Sequence, residues 1–220
     1  FTANMSHELK TPLQSIIGSA ELLENSLVKP EDQPRFLNRI HQEADRLVSL
    51  INDILRLSQL DEGGALPHEQ VSVLELAQEA ARSLTAQAAA KAVHISVTGT
   101  AGTVFGVRRL LYEIARNLCE NAVKYNVPGG SVTVEVAETE RDVTFLVRDT
   151  GIGIPEGDQS RVFERFYRVD KSHSRAIGGT GLGLSIVKHA VAYHHGTLRL
   201  ESQPGKGTVI TVTLPKKPTE

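Results

Sequence analysis

A histidine, a carboxylate and a hydroxyl share one short stretch near the start of the sequence: His7, Glu8 and Thr11. Neutral imidazole is a competent nucleophile near pH 7, and an adjacent carboxylate can take the proton it must shed. Thr11 sits one helical turn beyond His7 and shares its outward face. Pro12 falls inside the same helical pattern, where it removes a backbone hydrogen bond and is expected to kink or loosen the turn that carries His7. On its own, an exposed helical histidine is more often a plain surface residue.

Three further clusters have chemical potential. Asn117, Asn121 and Lys124 recur at i, i+4 and i+7 on one helix face. Two side-chain carbonyls and an ammonium suit Mg²⁺ with phosphate oxygens, although a solvated polar face is the plainer reading of that helix alone. Asp149-Thr150-Gly151-Ile152-Gly153-Ile154-Pro155 follows an apolar strand. An acid at a strand end can accept from an exocyclic amine, and glycines let a flat ligand approach the backbone; an ordinary turn is the alternative. Gly178-Gly179-Thr180-Gly181-Leu182-Gly183-Leu184 then leads into a helix. Glycine-rich backbone entering a helix N-terminus cradles phosphate, and its plainer reading is a flexible loop. Gly205-Lys206-Gly207 lacks the rest of a Walker A loop, and too little chain follows residue 184 for a dinucleotide-binding βαβ unit.

These residues need elements to hold them. Leu9, Leu13, Ile16, Ala20, Leu23 and Leu27 alternate by four and three, a coiled-coil seam that puts Ser6 at a core position and His7 just outside it. After the Val28–Pro34 break, a second seam runs through Phe36, Ile40, Leu47, Ile51, Ile54, Leu57 and Leu60. Two such helices make an antiparallel hairpin over 1–62. Each leaves part of its apolar face bare, so two hairpins are expected to pair into a four-helix bundle, which makes the chain a homodimer. Asp61-Glu62-Gly63-Gly64, with Pro67 behind it, starts a linker and hinge. Beyond it, helical patterns over 74–91, 106–125 and 181–195 alternate with strand patterns over 69–73, 93–98, 131–138, 142–149, 197–203 and 207–214. Period-two runs such as 131–136 and 208–213 fit antiparallel strands with one face covered by helices, an α/β sandwich over 69–217. The fold class is therefore α+β.

Composition narrows the field. Of 220 residues, 23% are charged and 40% hydrophobic, as in ordinary globular proteins. A net charge of −2 with scattered Lys and Arg argues against nucleic acid and membrane surfaces as partners. The single Cys119 rules out an internal disulfide. No window reaches the roughly 20 apolar residues of a membrane span, and no signal peptide is apparent. The chain opens at Phe1 inside a helical pattern, as expected for a piece of a longer protein. The other histidines (His41, His68, His94, His173, His189, His194 and His195) have no metal-ligand spacing and are expected to be surface or structural.

Taken together the motifs resemble, in order and spacing, the sensor histidine kinases of two-component systems. Phe1-Thr-Ala-Asn-Met-Ser-His7-Glu-Leu-Lys-Thr11-Pro-Leu13 resembles their phospho-acceptor box, and Asn117-Leu-Cys-Glu-Asn121-Ala-Val-Lys124-Tyr125 the N box of the ATP-binding superfamily shared with gyrase and MutL. Asp149-Thr-Gly151-Ile-Gly153 and Gly179-Thr180-Gly181-Leu182-Gly183-Leu are similar to its two glycine boxes, Phe163-Glu-Arg165-Phe166-Tyr-Arg168 to its F box, and Gly205-Lys-Gly207-Thr208 to the last box. The resemblance implies autophosphorylation of His7 from ATP, with Mg²⁺ on Asn121 and Asn117 supporting metal and phosphates. Lys124 would neutralise phosphate charge, Tyr125 stack near adenine and Asp149 recognise its amino group. Residues 164–180 would form a mobile lid, with Arg165 or Arg168 steadying the γ-phosphoryl group. His7 would pass its phosphoryl group to an aspartate of a response regulator, and Thr11 would orient water for dephosphorylating that partner. Family members commonly carry sensor and membrane segments upstream, so the chain would be the cytoplasmic portion of a membrane-anchored bacterial sensor.

Overall fold

The computed structural model describes residues 2–61, 66–169 and 179–217. Residues 62–65 of the expected hinge, Gly178 and residues 170–177 of the expected lid, and the side chain of Leu60 lie outside the described residues. No described helix is long and apolar enough to cross a membrane.

Helix α1 (Thr2–Glu24) and helix α2 (Gln33–Asp61) form the antiparallel hairpin, joined through a 3₁₀ turn at Pro30–Asp32. α1 runs as one helix through Pro12, which is buried, so the proline does not end it. Pro12 deprives only the Glu8 carbonyl of its helical donor, and packing against α2 holds the turn together. The seam is split. Pro12 and Ser19 are buried, with Leu9, Ile16 and Leu23 half-buried beside them, while Leu13, Ala20 and Leu27 face outward. Ser6, expected in the core, is exposed. On α2, Leu50 and Leu57 are buried but Val48, Ile51 and Leu55 are exposed. A hairpin can cover one side of each helix only, so half of the apolar repeat remains outside.

The remainder is a two-layer sandwich. Strands β2 (His94–Gly99), β4 (Ser131–Glu138), β5 (Asp142–Asp149), β6 (Thr197–Gln203) and β7 (Gly207–Pro215) form a five-stranded sheet in the order β2-β4-β5-β7-β6. The pairs among β4, β5, β6 and β7 are antiparallel, and β2 joins β4 in parallel at the edge. Alternate residues Val132, Val134, Phe145, Val147, Val212 and Leu214 turn inward beneath α3 (Val73–Ser83), α5 (Arg108–Lys124) and α7 (Gly183–Tyr193). The helix expected over 74–91 breaks at Leu84 into α3 and α4 (Thr85–Ala90). A short strand β3 (Thr103–Gly106), which the sequence pattern did not indicate, pairs with β1 (Glu69–Ser72) in a separate two-stranded sheet. Helix α6 (Glu156–Gln159) is a further unexpected turn.

The N-terminus of α5 has no side-chain cap of its own at Val107. Its backbone N–H instead donates to Nε2 of buried His194 at 3.0 Å, while Nδ1 of that ring donates to the Ala190 carbonyl at 2.7 Å. Both bonds hold together only in the neutral imidazole.

Candidate active site

Helix α5 brings its polar face against the glycine-rich segment at 179–183. Asn117 Nδ2 donates to the Glu113 carbonyl at 2.8 Å and reaches Glu113 Oε2 at 3.4 Å. That leaves Asn117 Oδ1 facing Gly183, where a methyl carbon would stand only 2.7 Å from it. One end of the segment thus lies over Asn117. At the other end, a methyl on Gly179 would stand 2.5 Å from Lys124 Nζ and 3.9 Å from Tyr125 Oη. A side chain at either glycine would have to displace Asn117 Oδ1 or the flexible end of Lys124. Asn121 lies between, half-buried, and its side chain makes no hydrogen bond to the described residues.

Lys124 is buried, and burial is the main reason its ammonium is pushed down to about 8; Glu120 opposes that shift, while Arg168, Lys91 and Arg46 add to it. Three cations and one carboxylate, Glu120, thus act on a buried ammonium, a charge balance that favours an anion nearby.

Asp149 closes β5, opposite Val132. Its Oδ1 accepts from the Gly151 amide at 2.8 Å and from the Thr208 amide at 3.2 Å. Burial raises its pKa, and the two amides pull the other way. Oδ2 has no hydrogen bond among the described residues. Gly151 packs on the Tyr125 carbonyl, and Gly207, at φ +93°, packs on the Asp149 carbonyl where any side chain would collide. Gly153 similarly abuts the Gln203 carbonyl. Thr208 is buried; its backbone N–H donates to Asp149, and its hydroxyl lies 2.9 Å from that of Ser202. The expected residues from three separated glycine segments therefore converge on the C-terminal half of α5.

Phe166 holds φ +66°, and its N–H donates to the Gly181 carbonyl at 2.9 Å. The two expected arginines diverge. Arg165 meets His189 Nε2 on α7 at 3.0 Å, whereas Arg168 lies near enough to add to the lowering at Lys124 and to oppose the burial that raises the pKa of Tyr125.

On the hairpin, His7 is exposed, and the Thr11 hydroxyl donates to the His7 carbonyl at 3.1 Å. Glu8 stands 4.0 Å from Arg46 of α2. Sequence reasoning passed over three residues here. Arg56 of α2 donates to the buried Glu113 at 3.1 Å, and Asp53 accepts from the Thr180 hydroxyl at 2.7 Å. Arg46 is the third. Glu113 was already readable as a carboxylate near Asn117, one turn before it on the same face.

Two family models match the chain: "His Kinase A (phospho-acceptor) domain" over residues 1–63 and "Histidine kinase-, DNA gyrase B-, and HSP90-like ATPase" over residues 106–218. The sensor-like histidine kinase SenX3 of Mycolicibacterium smegmatis is 42% identical over 222 residues, covering 99% of this chain and 57% of that protein. The chain thus spans about half the length of the curated relatives it matches. Among solved structures, full-length ShkA in complex with AMPPNP has a TM-score of 0.71 at 29% identity, over 97% of this chain and 45% of that one. Histidine kinase ThkA in complex with response regulator protein TrrA has a TM-score of 0.74 at 22% identity, over 99% and 61%, and shares the fold.

Proposed function

This chain belongs to the sensor histidine kinases of two-component systems, and from that premise we propose that it phosphorylates its own His7 from Mg-ATP and hands the phosphoryl group to an aspartate of a response regulator. The observation that carries the reading is the convergence of Asn117, Lys124, Tyr125 and Asp149 around the glycine segments, joined in one chain to an exposed histidine on a helical hairpin. The hairpin over 1–62 is the phospho-acceptor and dimerisation unit, and residues 69–217 are the ATP-binding unit.

Asp149 Oδ2 accepts from the adenine amino group while the Gly151 and Thr208 amides fix the carboxylate. Tyr125 lies beside the base. Lys124 and Arg168 neutralise the phosphates, and the 179–183 backbone lies along them, with Thr180, Gly181 and Leu182 shaping its turn into α7. Among the described residues no group of His, Cys, Asp and Glu could hold a metal ion, so the amide oxygens of Asn121 and Asn117 are the fitting donors, with phosphate oxygens completing the set. Mg²⁺ held there would offset the charge that develops on the transferring phosphoryl group. His7 attacks the γ-phosphorus; the N–P bond forms, the bond to the β,γ-bridging oxygen breaks, ADP leaves, and Glu8 takes the imidazole proton. A carboxylate at the Asn117 position would activate water; the amide there disfavours hydrolysis.

Incubating the chain with γ-labelled ATP should give an acid-labile, alkali-stable label that His7→Gln abolishes. An unlabelled wild type would end this reading. A second activity, dephosphorylation of the regulator, is suggested by Thr11, whose hydroxyl lies one turn from His7 on its accessible face. Thr11→Ala should keep autophosphorylation and lose partner dephosphorylation, measured as loss of label from the phosphorylated regulator.

A further inference from the structure

Two polar side chains of α2 reach out of the hairpin into the nucleotide-binding unit of the same chain. Glu113 is a buried carboxylate on α5, and a buried charge is tolerated only when paired. Its cation comes from Arg56 at 3.1 Å, and Asp53 stands 3.7 Å from the same guanidinium. Asp53 in turn takes the Thr180 hydroxyl, whose oxygen also accepts from the Leu182 amide at 3.2 Å. One pair therefore grips the residue that orients Asn117, and the other grips the segment crossing Lys124. Between them lies an apolar seat of Leu50 and Leu57 from α2 with Leu182 and Ile186 from the other unit. Leu9, two residues from His7, and Phe166 pack against that seat. Arg46, which faces Glu8, is close enough to Lys124 to help lower its pKa. The cationic end of the cleft and the His7 turn thus lie on the same stretch of one chain's hairpin.

We propose that Asp53 and Arg56 are positioning residues for the phosphoryl transfer: through Thr180 and Glu113 they seat the nucleotide unit on its own hairpin, so that ATP bound by a chain phosphorylates that chain's His7 and not its partner's. The proposal rests on the autokinase reading above and adds the direction of transfer. The atoms move as already described, the imidazole proton going to Glu8 and ADP leaving. Only the chain that supplies the imidazole is new. Neither Asp53 nor Arg56 touches the reacting atoms.

Two experiments on the full chain decide it. In the first, a His7→Gln chain with an intact nucleotide site and an Asn121→Asp chain with an intact His7 are co-expressed with different tags and purified through both tags. Transfer within a chain leaves the mixed dimer unlabelled by γ-labelled ATP, and label on the Asn121→Asp chain overturns the proposal. If no mixed dimer can be recovered, Ile51→Glu combined with Leu55→Glu, exposed positions whose change separates the chains, should still take label on His7 from γ-labelled ATP, and loss of that label in a monomer with unchanged circular dichroism overturns the proposal. In the second, Arg56→Met and Asp53→Asn should lower the labelling kcat about tenfold with the ATP KM moving less than about twofold, because misplacement by an ångström costs the transfer step and not ground-state binding. Arg56→Lys, which keeps the charge opposite Glu113, should recover most of the rate. Should Arg56→Met fold, by its circular dichroism, and label at the wild-type rate, the positioning role is refuted. A wild type that never labels refutes the autokinase reading instead, so the two failures are distinguishable.

Discussion

Asp149 and Lys124 mark the two ends of the cleft, and each has been altered by the same physical cause, burial. In Asp149→Asn the amide oxygen can keep both backbone donors, but on the proposed reading the second oxygen becomes an NH₂ that would meet the adenine amine donor-to-donor. ATP affinity should therefore fall at least tenfold, the scale of a charged hydrogen bond of about 1.5–3 kcal/mol, with no loss of melting temperature. Titration calorimetry with ATP and a thermal scan test both halves. Lys124 is a cation at physiological pH, yet its pKa near 8 is far below the lysine norm. ATP binding should weaken as pH rises through about 8, where the ammonium loses its proton, and Lys124→Met should abolish that limb. The sign for stability runs oppositely: above 8 the unfolded chain holds the extra proton, so Lys124 makes the fold more stable as pH rises toward 10.5. Both residues were singled out in the sequence because each sits within a motif of short-range spacing, and the resemblance supplied the roles proposed for them. The sequence could not choose between Arg165 and Arg168, three positions apart in one turn; the fold sends one to His189 on α7 and the other toward Lys124.

Helix α5 carries much of the site, and its N-terminus depends on a residue more than eighty positions away. Val107 offers no side chain to cap the helix, and the imidazole of His194 does the work. Burial foremost lowers the His194 pKa below its usual 6.5, the Ala190 carbonyl opposing. The unfolded state therefore binds more protons just below that value, and the stabilisation is present above about pH 6.5 and lost as pH falls. His194→Ala should cost about 1–2 kcal/mol at pH 7.5 by leaving a buried N–H without an acceptor, and should flatten the acid limb. Urea unfolding at pH 7.5 and 5.5 measures both. His194 was expected to be surface or structural, and it is structural; its partner was beyond reach because nothing local links it to Val107. The strand patterns of β4 and β7 were readable as period-two runs, since each buries one face. Strand β3 was not, because its four residues follow Gly102 and end in Gly106, where the helical pattern of α5 was read to begin.

For the whole molecule, the hairpin's outward apolar face is the largest unmet demand. Val48, Ile51 and Leu55 on α2 and Leu13 and Ile17 on α1 are 44–58% exposed. Such a stripe on a long helix pair is covered by a second copy in the dimer proposed above. Ile51→Glu combined with Leu55→Glu should halve the sedimenting mass without unfolding the nucleotide unit, whose core (Phe145, Leu118, Val187 and their neighbours) is separate from the hairpin. Sedimentation velocity with circular dichroism tests this. The seam was visible in the sequence as one repeat, but the repeat could not say which half faces the chain's own α2 and which faces a partner.

The sequence by itself determined the hairpin and the sandwich, because helical and strand periods are local and survive without coordinates, and its motifs supplied the candidate residues for a nucleotide site through their resemblance to a family. Only the tertiary structure decided how these pieces meet: Arg56 with Glu113, Asp53 with Thr180, and His194 with Val107. Each of those pairs joins distant segments through one or two polar atoms. Long-range contacts of that kind are selected by the geometry of packed elements, which no short stretch of chain encodes.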